Sequence, residues 1–129
     1  MRIIPMSKMK ELQNSKLAVF GSTGSIGLQT LDVARLHNIP IDCICAMKNI
    51  NALESQIREF KPRICAVYDP DAAKLLKIAV ADTDTRIYSG KEGVCAAAQD
   101  STAKMLLNSM KWGRKFLRKS LFRCLFQFD

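Results

Sequence analysis

The stretch that most constrains the fold is KLAVFGSTGSIGLQTLDVARL, residues 16–36, where an apolar run ends at a glycine and becomes a helical pattern. Gly21, Gly24 and Gly27 stand three residues apart between a predicted strand and a predicted helix. In that context the spacing is typical of a dinucleotide-binding turn: Gly21 permits the turn, Gly24 leaves room for a pyrophosphate, and Gly27 lets the helix pack closely. A flexible turn without a ligand is the alternative interpretation.

The predicted helix after this turn would present backbone amides to a ligand. Its positive end lies near Ser25 and Ile26, and we expect their amides to bind phosphate oxygens. The hydroxyls of Ser22, Thr23 and Ser25 are further candidate donors.

The rest of the chain alternates strand-like and helix-like segments. Gly27, Leu31 and Ala34 recur on one face and predict a helix over 25–37. Alternation of this kind indicates βαβ units, so we predict an α/β fold with a Rossmann-like parallel sheet, helices on both faces, incomplete at its C-terminal end. Strands are predicted at 16–20, 41–47, 63–68, 85–89 and 103–109, and further helices at 50–60, 69–81 and 91–99. The stripes predicted to face the sheet are Ile50, Leu53, Ile57 and Phe60, then Ala72, Leu75, Leu76 and Ala79.

The end of the second predicted strand bears on the choice of cofactor. Sites for NAD usually place an acid about 20 residues after the glycines, on the ribose 2′-hydroxyl. Here Lys48 lies 21 positions after Gly27 with no acid beside it, and Asp42 lies at the start of the strand, away from its carboxyl end. A lysine there suits a 2′-phosphate, which favours NADP over NAD; an ordinary loop lysine is the alternative.

Charge and cysteine content limit the other function classes. Of the formal net charge of +8, residues 101–129 carry +6 and residues 1–100 only +2, so the first hundred residues show no electrostatic footprint for nucleic acid. No apolar run reaches signal-peptide or transmembrane length. Five cysteines without a C-x-x-C pair, beside a single histidine, argue against a disulfide framework or a zinc site. We therefore expect a reduced, soluble, cytoplasmic protein.

The run GSTGSIGLQTLDV, with KN at 48–49 and QIREFKPRICAVYD at 56–69, closely resembles the N-terminal domain of the 1-deoxy-D-xylulose 5-phosphate reductoisomerase family. The resemblance extends from about Lys16 to about Met110. It divides the chain into an N-terminal extension (1–15), an NADPH-binding domain (16–110) and a basic aromatic tail (111–129).

The resemblance implies a set of cofactor contacts. By analogy with the family, Thr23, Gly24, Ser25 and Ile26 contact the phosphates of NADPH, and Lys48 with Asn49 holds the adenosine 2′-phosphate. Met47 departs from the family pattern, which generally has glycine at this position. We expect the methionine to crowd the adenosine ribose.

The resemblance also implies functions for which this chain has no residues. Enzymes of the family are homodimers that use NADPH and Mg or Mn to convert 1-deoxy-D-xylulose 5-phosphate to 2-C-methyl-D-erythritol 4-phosphate, in isoprenoid biosynthesis by the non-mevalonate pathway. They need an Asn-Lys-Glu segment after the fifth strand, acidic metal ligands and a second domain, none of which follows Met110. We predict no catalytic residue, no metal ligand and no turnover in this chain alone.

The tail KWGRKFLRKSLFRCLFQFD mixes basic and aromatic residues without a clean helical period. Its simplest interpretation is a frameshifted or degraded gene. The alternative function is a non-catalytic nucleotide-binding or interaction module whose tail contacts a membrane or nucleic acid. We expect NADPH as the partner, and neither nucleic acid nor a membrane.

Overall fold

The computed structural model describes residues 16–110; the predicted extension (1–15) and the predicted tail (111–129) lie outside the described residues. Strands and helices alternate along the described part, as the sequence pattern predicts. In chain order they are β1 (Leu17–Phe20), α1 (Ser25–His37), β2 (Ile41–Ala46), α2 (Ile50–Phe60), β3 (Ile64–Val67), α3 (Pro70–Ala79), β4 (Arg86–Ser89), α4 (Gly90–Asp100) and β5 (Met105–Asn108).

The strands form one parallel sheet in the order β4-β3-β2-β1-β5. Strand β2 is buried along its whole length, as expected of a parallel strand covered on both faces, whereas β4 and β5 at the edges are exposed at both ends. The chain adds β2, β3 and β4 on one side of β1 and then crosses over to place β5 on the other side. Open parallel sheets bind ligands at the carboxyl ends of their strands beside such a reversal.

Helices cover both faces of the sheet, which confirms the predicted Rossmann-like architecture. Helices α1, α2 and α3 pack on one face, and α4 packs on the other. The first face buries, among others, Val19, Leu31, Ile44, Leu53, Ile57 and Leu76. The second buries Ala18, Phe20, Cys43, Cys45, Ile64, Val94, Ala97 and Ala98.

The stripe predicted for the third helix is partly wrong. Ala72 and Leu76 are buried as expected, but Ala73 is buried with them, and Leu75 is 57% exposed. A helix advances by about 100° per residue, so a small rotation of α3 exchanges neighbouring positions at the edge of its stripe. Two adjacent alanines let this helix lie close to the sheet, and Leu75 is thereby turned to solvent.

Asp42, near the amino end of β2, is buried and accepts hydrogen bonds from several residues at the edge of the sheet opposite the glycine turn. Its carboxylate accepts hydrogen bonds from Ser101 Oγ (2.7 Å), Thr102 N (2.9 Å) and Arg63 Nε (3.2 Å). Burial alone raises the pKa of this carboxyl, but the hydrogen bonds from Ser101, Thr102 and Arg63 outweigh burial and hold the pKa below its ordinary value. Asp42 therefore joins β2 to the connection between α4 and β5.

Cys43 and Cys45 are fully buried core residues, and burial raises the pKa of both thiols. Within residues 16–110 no helix has the length and apolar character needed to cross a membrane.

Candidate functional site

The turn after β1 contains a glycine that no other residue could replace without strain. Gly21 has φ +96°, in the region that side chains disfavour. A Cβ at this position would also collide with Ser109 Oγ and lie 3.1 Å from Met110 N, just beyond the end of β5. The chain therefore turns sharply where β1 and β5 end side by side.

The other two glycines have different surroundings. A Cβ on Gly27 would overlap the carbonyl oxygen of Gly21 and lie 2.7 Å from Ser22 Cα, so α1 packs directly on the turn. A Cβ on Gly24 would meet only the Gly21 oxygen, at an ordinary 3.7 Å. The predicted roles of Gly21 and Gly27 are confirmed. At Gly24 no crowding within the described chain requires a glycine.

The turn is attached to both neighbouring strands. The amides of Gly21 and Ser22 both donate to the carbonyl oxygen of Cys45 in β2, at 2.7 and 3.1 Å. On the other side Ser109 N donates to Phe20 O at 2.8 Å. The backbone of the turn is thus held between the carboxyl ends of β2 and β5.

Three accessible residues at the turn have amides that are available to a ligand. Gly24 N donates to Gly21 O (3.2 Å) and Leu28 N to Gly24 O (2.8 Å), but the amides of Thr23, Ser25 and Ile26 have no acceptor among the described residues. The first amides of a helix lack intrahelical partners and form its positive end. The amides of Ser25 and Ile26 are those that the sequence predicted to bind phosphate, and the amide of Thr23 joins them; all three residues are accessible.

The prediction for the Ser22 hydroxyl is wrong. Ser22 is completely buried, and its Oγ points into the protein without a hydrogen-bond partner in the described chain. The amide of Ser22 is tied to β2, which turns the side chain inward. Its hydroxyl cannot reach a ligand over the turn.

Lys48 and Asn49 follow β2, the strand next to β1, so the structure places both at the carboxyl edge that carries the turn. Lys48 is exposed and forms no ion pair with any residue between 16 and 110. Asn49 caps α2, its Oδ1 accepting from Ala52 N at 3.3 Å. Met47, which precedes them, is 42% exposed, and its carbonyl accepts from Asp69 N at 2.9 Å.

Gln56 is a residue of the site that the sequence pattern did not single out. It lies on the buried face of α2, 6% exposed, and its Nε2 donates to Ser22 O at 2.9 Å. Its position three residues after Leu53 on an otherwise apolar stripe was the available signal, because a polar side chain on a buried face has a hydrogen-bonding reason to be there.

The acidic residue Asp69 lies shortly after β3, at the same edge of the sheet. The side chain of Asp69 caps α3 by accepting a hydrogen bond from Asp71 N. In the part of the chain that the structure describes, no three His, Cys, Asp or Glu residues come together as a metal site.

The parallel order of strands, the crossover beside β1 and the glycine turn leading into a helix N-terminus define a Rossmann-like α/β domain. The family model described as 1-deoxy-D-xylulose 5-phosphate reductoisomerase matches residues 17–119. The chain belongs to this family, as the resemblance of its glycine-rich segment predicted.

Relatives with the same name show how much of the family's length is present. The reductoisomerase of Acetivibrio thermocellus is 50% identical over 80 residues, which cover 62% of this chain and 21% of the relative. That of Lachnoclostridium phytofermentans is 39% identical over 95 residues, covering 73% and 24%. The chain therefore spans less than a quarter of the length of these curated relatives.

Solved structures agree on the fold. The reductoisomerase of Zymomonas mobilis in complex with NADPH superposes with a TM-score of 0.69 at 24% identity, covering 74% of this chain and 26% of that one. A reductoisomerase in complex with NADPH, fosmidomycin and magnesium superposes with a TM-score of 0.68 at 32% identity, covering 74% and 24%.

Proposed function

We propose that residues 16–110 form the NADPH-binding domain of a 1-deoxy-D-xylulose 5-phosphate reductoisomerase. The observation that carries this proposal is the set of three unpaired amides, of Thr23, Ser25 and Ile26, around the open position at Gly24. Such a turn suits a pyrophosphate, because the amides donate to its oxygens and the bare glycine lets it approach the backbone. Two structural neighbours were solved with NADPH, and one of them is 32% identical to this chain.

Lys48 and Asn49 would hold the adenosine 2′-phosphate. A lysine ammonium is a point charge well suited to a phosphate group, and Lys48 forms no ion pair with a described residue that would neutralise it. The Asn49 oxygen is used in capping α2, which leaves the amide nitrogen of its side chain as a donor. This pair would distinguish NADPH from NADH.

The chain alone would bind the hydride donor without turning over substrate. Reduction and isomerisation in this family need a divalent metal by the resemblance, and the described residues hold no cluster that fits one. We therefore assign no reaction step to these residues. Substrate, metal and dimer contacts would be supplied by parts of the family's enzymes that this chain does not match.

The cytoplasm is the proposed location. The four cysteines that the structure describes are all free thiols, which suits a reducing compartment. The near balance of charge over residues 1–100 favours a nucleotide over a nucleic acid as partner.

The test is direct titration of the full chain with NADPH and with NADH, by calorimetry or by NADPH fluorescence. We expect saturable binding of one NADPH and at least about tenfold weaker binding of NADH, since a charge-assisted phosphate contact contributes about 1.5–3 kcal/mol. In the same buffer, 1-deoxy-D-xylulose 5-phosphate, NADPH and manganese should give no NADPH oxidation. Absence of NADPH binding would overturn the assigned function, and measurable oxidation would overturn the predicted lack of turnover.

A shortened chain ending at Met110 tests the domain division. The proposal expects NADPH affinity to be unchanged by removal of residues 111–129. A loss of affinity for anionic vesicles or nucleic acid on the same deletion would instead support an interaction module.

A further inference from the structure

Gln56 is the one polar residue on the buried face of α2. Its neighbours on that face, Leu53 and Ile57, are 0% and 1% exposed and pack against the sheet. The Gln56 side chain extends beyond this packing to the glycine turn and donates from Nε2 to Ser22 O at 2.9 Å. It is thus a direct link between the second helix and the turn, across 34 residues of sequence.

Core packing does not account for a glutamine at this position. The Oε1 of Gln56 is buried without a hydrogen-bond partner among the described residues, and so is the hydroxyl of Ser22. An unsatisfied buried oxygen is unfavourable, so the favourable contribution of this amide lies in its nitrogen, which pairs the Ser22 carbonyl oxygen. What the glutamine supplies is the donor to Ser22 O.

That hydrogen bond controls the direction of one amide. The peptide between Ser22 and Thr23 is trans, so its carbonyl and its N–H point in opposite directions. With the Ser22 carbonyl turned towards α2, the Thr23 N–H faces away from α2. The amides of Gly21, Ser22 and Gly24 all donate within the chain, and that of Thr23 alone in this stretch does not.

We propose that Gln56 is a positioning residue of the nucleotide site: its buried amide holds the Ser22–Thr23 peptide so that the Thr23 N–H is presented to the pyrophosphate. Gln56 does not touch the ligand, and its effect passes entirely through the turn. The inference rests on the proposed NADPH function, and it adds a residue from α2 to a site otherwise formed by the ends of β1, β2 and α1.

The test removes the hydrogen-bond donor in one variant and draws it back from Ser22 O in another. Gln56→Met keeps the length and removes the donor, and Gln56→Asn keeps an amide but withdraws it by one methylene. We expect both variants to bind NADP⁺ about tenfold more weakly than the unsubstituted chain, and adenosine 2′-phosphate, which lacks the pyrophosphate, with unchanged affinity. Leu53→Val on the same helix is the matched control, expected to lower the melting temperature and to leave both affinities unchanged.

Thr23 provides a readout that needs no ligand. In ¹⁵N relaxation of the free protein we expect a rigid Thr23 amide, with an order parameter of about 0.85, which falls below about 0.6 in Gln56→Met. Unchanged NADP⁺ affinity with an unchanged Thr23 order parameter in both variants would overturn the positioning role. An equal loss for NADP⁺ and adenosine 2′-phosphate would also overturn it, because that pattern indicates general damage. If the unsubstituted chain binds no NADP⁺, both the proposed function and the role of Gln56 in the site are overturned. If the unsubstituted chain binds NADP⁺ and the variants show the same affinity and the same Thr23 order parameter, only the inference about Gln56 is overturned.

Discussion

The Cα of Gly27 packs directly on the carbonyl group of Gly21, with no room between them for even one methyl group. Gly21 is the first residue after β1, and Gly27 lies in the first turn of α1. The contact fixes how closely the positive end of the helix approaches the carboxyl end of β1. Two glycines six residues apart therefore set the depth of the candidate phosphate site.

Gly27→Ala should destabilise the domain strongly, whereas Gly24→Ala should not. The first substitution forces a methyl group into backbone atoms, and such overpacking costs about 3 kcal/mol of unfolding free energy. The second places a methyl 3.7 Å from its nearest neighbour at an ordinary backbone conformation, with a cost below about 1 kcal/mol. Urea denaturation of both variants measures the difference. Equal stability of the two would contradict the packing described here.

Gly24→Ala has a second expected effect, on ligand binding. If the pyrophosphate lies over this position, the added methyl occupies the space of a phosphate oxygen, and NADPH affinity should fall by at least about tenfold. Calorimetric titration of the folded variant measures this directly. Retention of full affinity would place the pyrophosphate elsewhere.

Lys48→Ala should weaken NADPH binding more than NADH binding. The lost contact is a charged one to the 2′-phosphate, which corresponds to about 1.5–3 kcal/mol for NADPH and to little for NADH. Lys104→Ala is the matched control, an exposed lysine immediately before β5, at the opposite end of the sheet. An equal effect of Lys48→Ala on the two nucleotides would remove its assigned role.

Met47→Gly should strengthen NADPH binding several-fold. Met47 immediately precedes Lys48, it is partly exposed, and the resemblance to the family places glycine at this position. Removing the side chain frees the space expected for the adenosine ribose, at a cost to stability of about 0.5–1 kcal/mol from added backbone freedom. Paired calorimetric and urea measurements separate the two effects. A weaker-binding Met47→Gly would show that the methionine contributes contact instead of crowding.

Asp42→Asn should destabilise the domain by about 2 kcal/mol at pH 7, because several donors lose a charged acceptor. The pKa of Asp42 lies below its ordinary value of 3.8, so the ionised carboxylate stabilises the fold above that pH and stops doing so as the pH falls through the folded-state pKa. The difference in unfolding free energy between the unsubstituted chain and Asp42→Asn, measured by urea denaturation, should therefore be smaller at pH 3 than at pH 7. Asp32→Asn, at an exposed ion pair with Arg35, is the control and should change little. A difference that stays constant from pH 7 to pH 3 would contradict the role of the charge.

Local patterns were sufficient to predict most of the fold. Helix α1 runs over the predicted residues because Gly27, Leu31 and Ala34 form a single buried stripe that needs no distant partner to be recognised. Helix α2 likewise has its predicted bounds. Leu75 was misplaced because it adjoins Leu76 on the helix surface, and only the fit of α3 against the sheet decides which of the two is buried.

The hydrogen bonds of the site and the sheet edge could not be predicted in the same way. Gln56 and Ser22 are joined across 34 residues, and Asp42 and Thr102 across 60. The helical stripe of α2 can indicate that Gln56 is buried, but no periodic pattern identifies the partner in either pair, since each contact depends on how separate elements are placed in three dimensions. The inward direction of the Ser22 hydroxyl has the same origin: it follows from hydrogen bonds that join the turn to β2.

The crossover that places β5 beside β1 has a consequence for the order of events during synthesis. Ser109 contacts Gly21 across 88 residues of chain, and at roughly 5–20 residues per second a ribosome needs several seconds to make that length. During this interval one side of β1 has no partner strand, although β2 has already emerged to cover the other. The glycine turn therefore acquires its final support last, and a nascent chain halted before β5 would expose the backbone on which the nucleotide site is built.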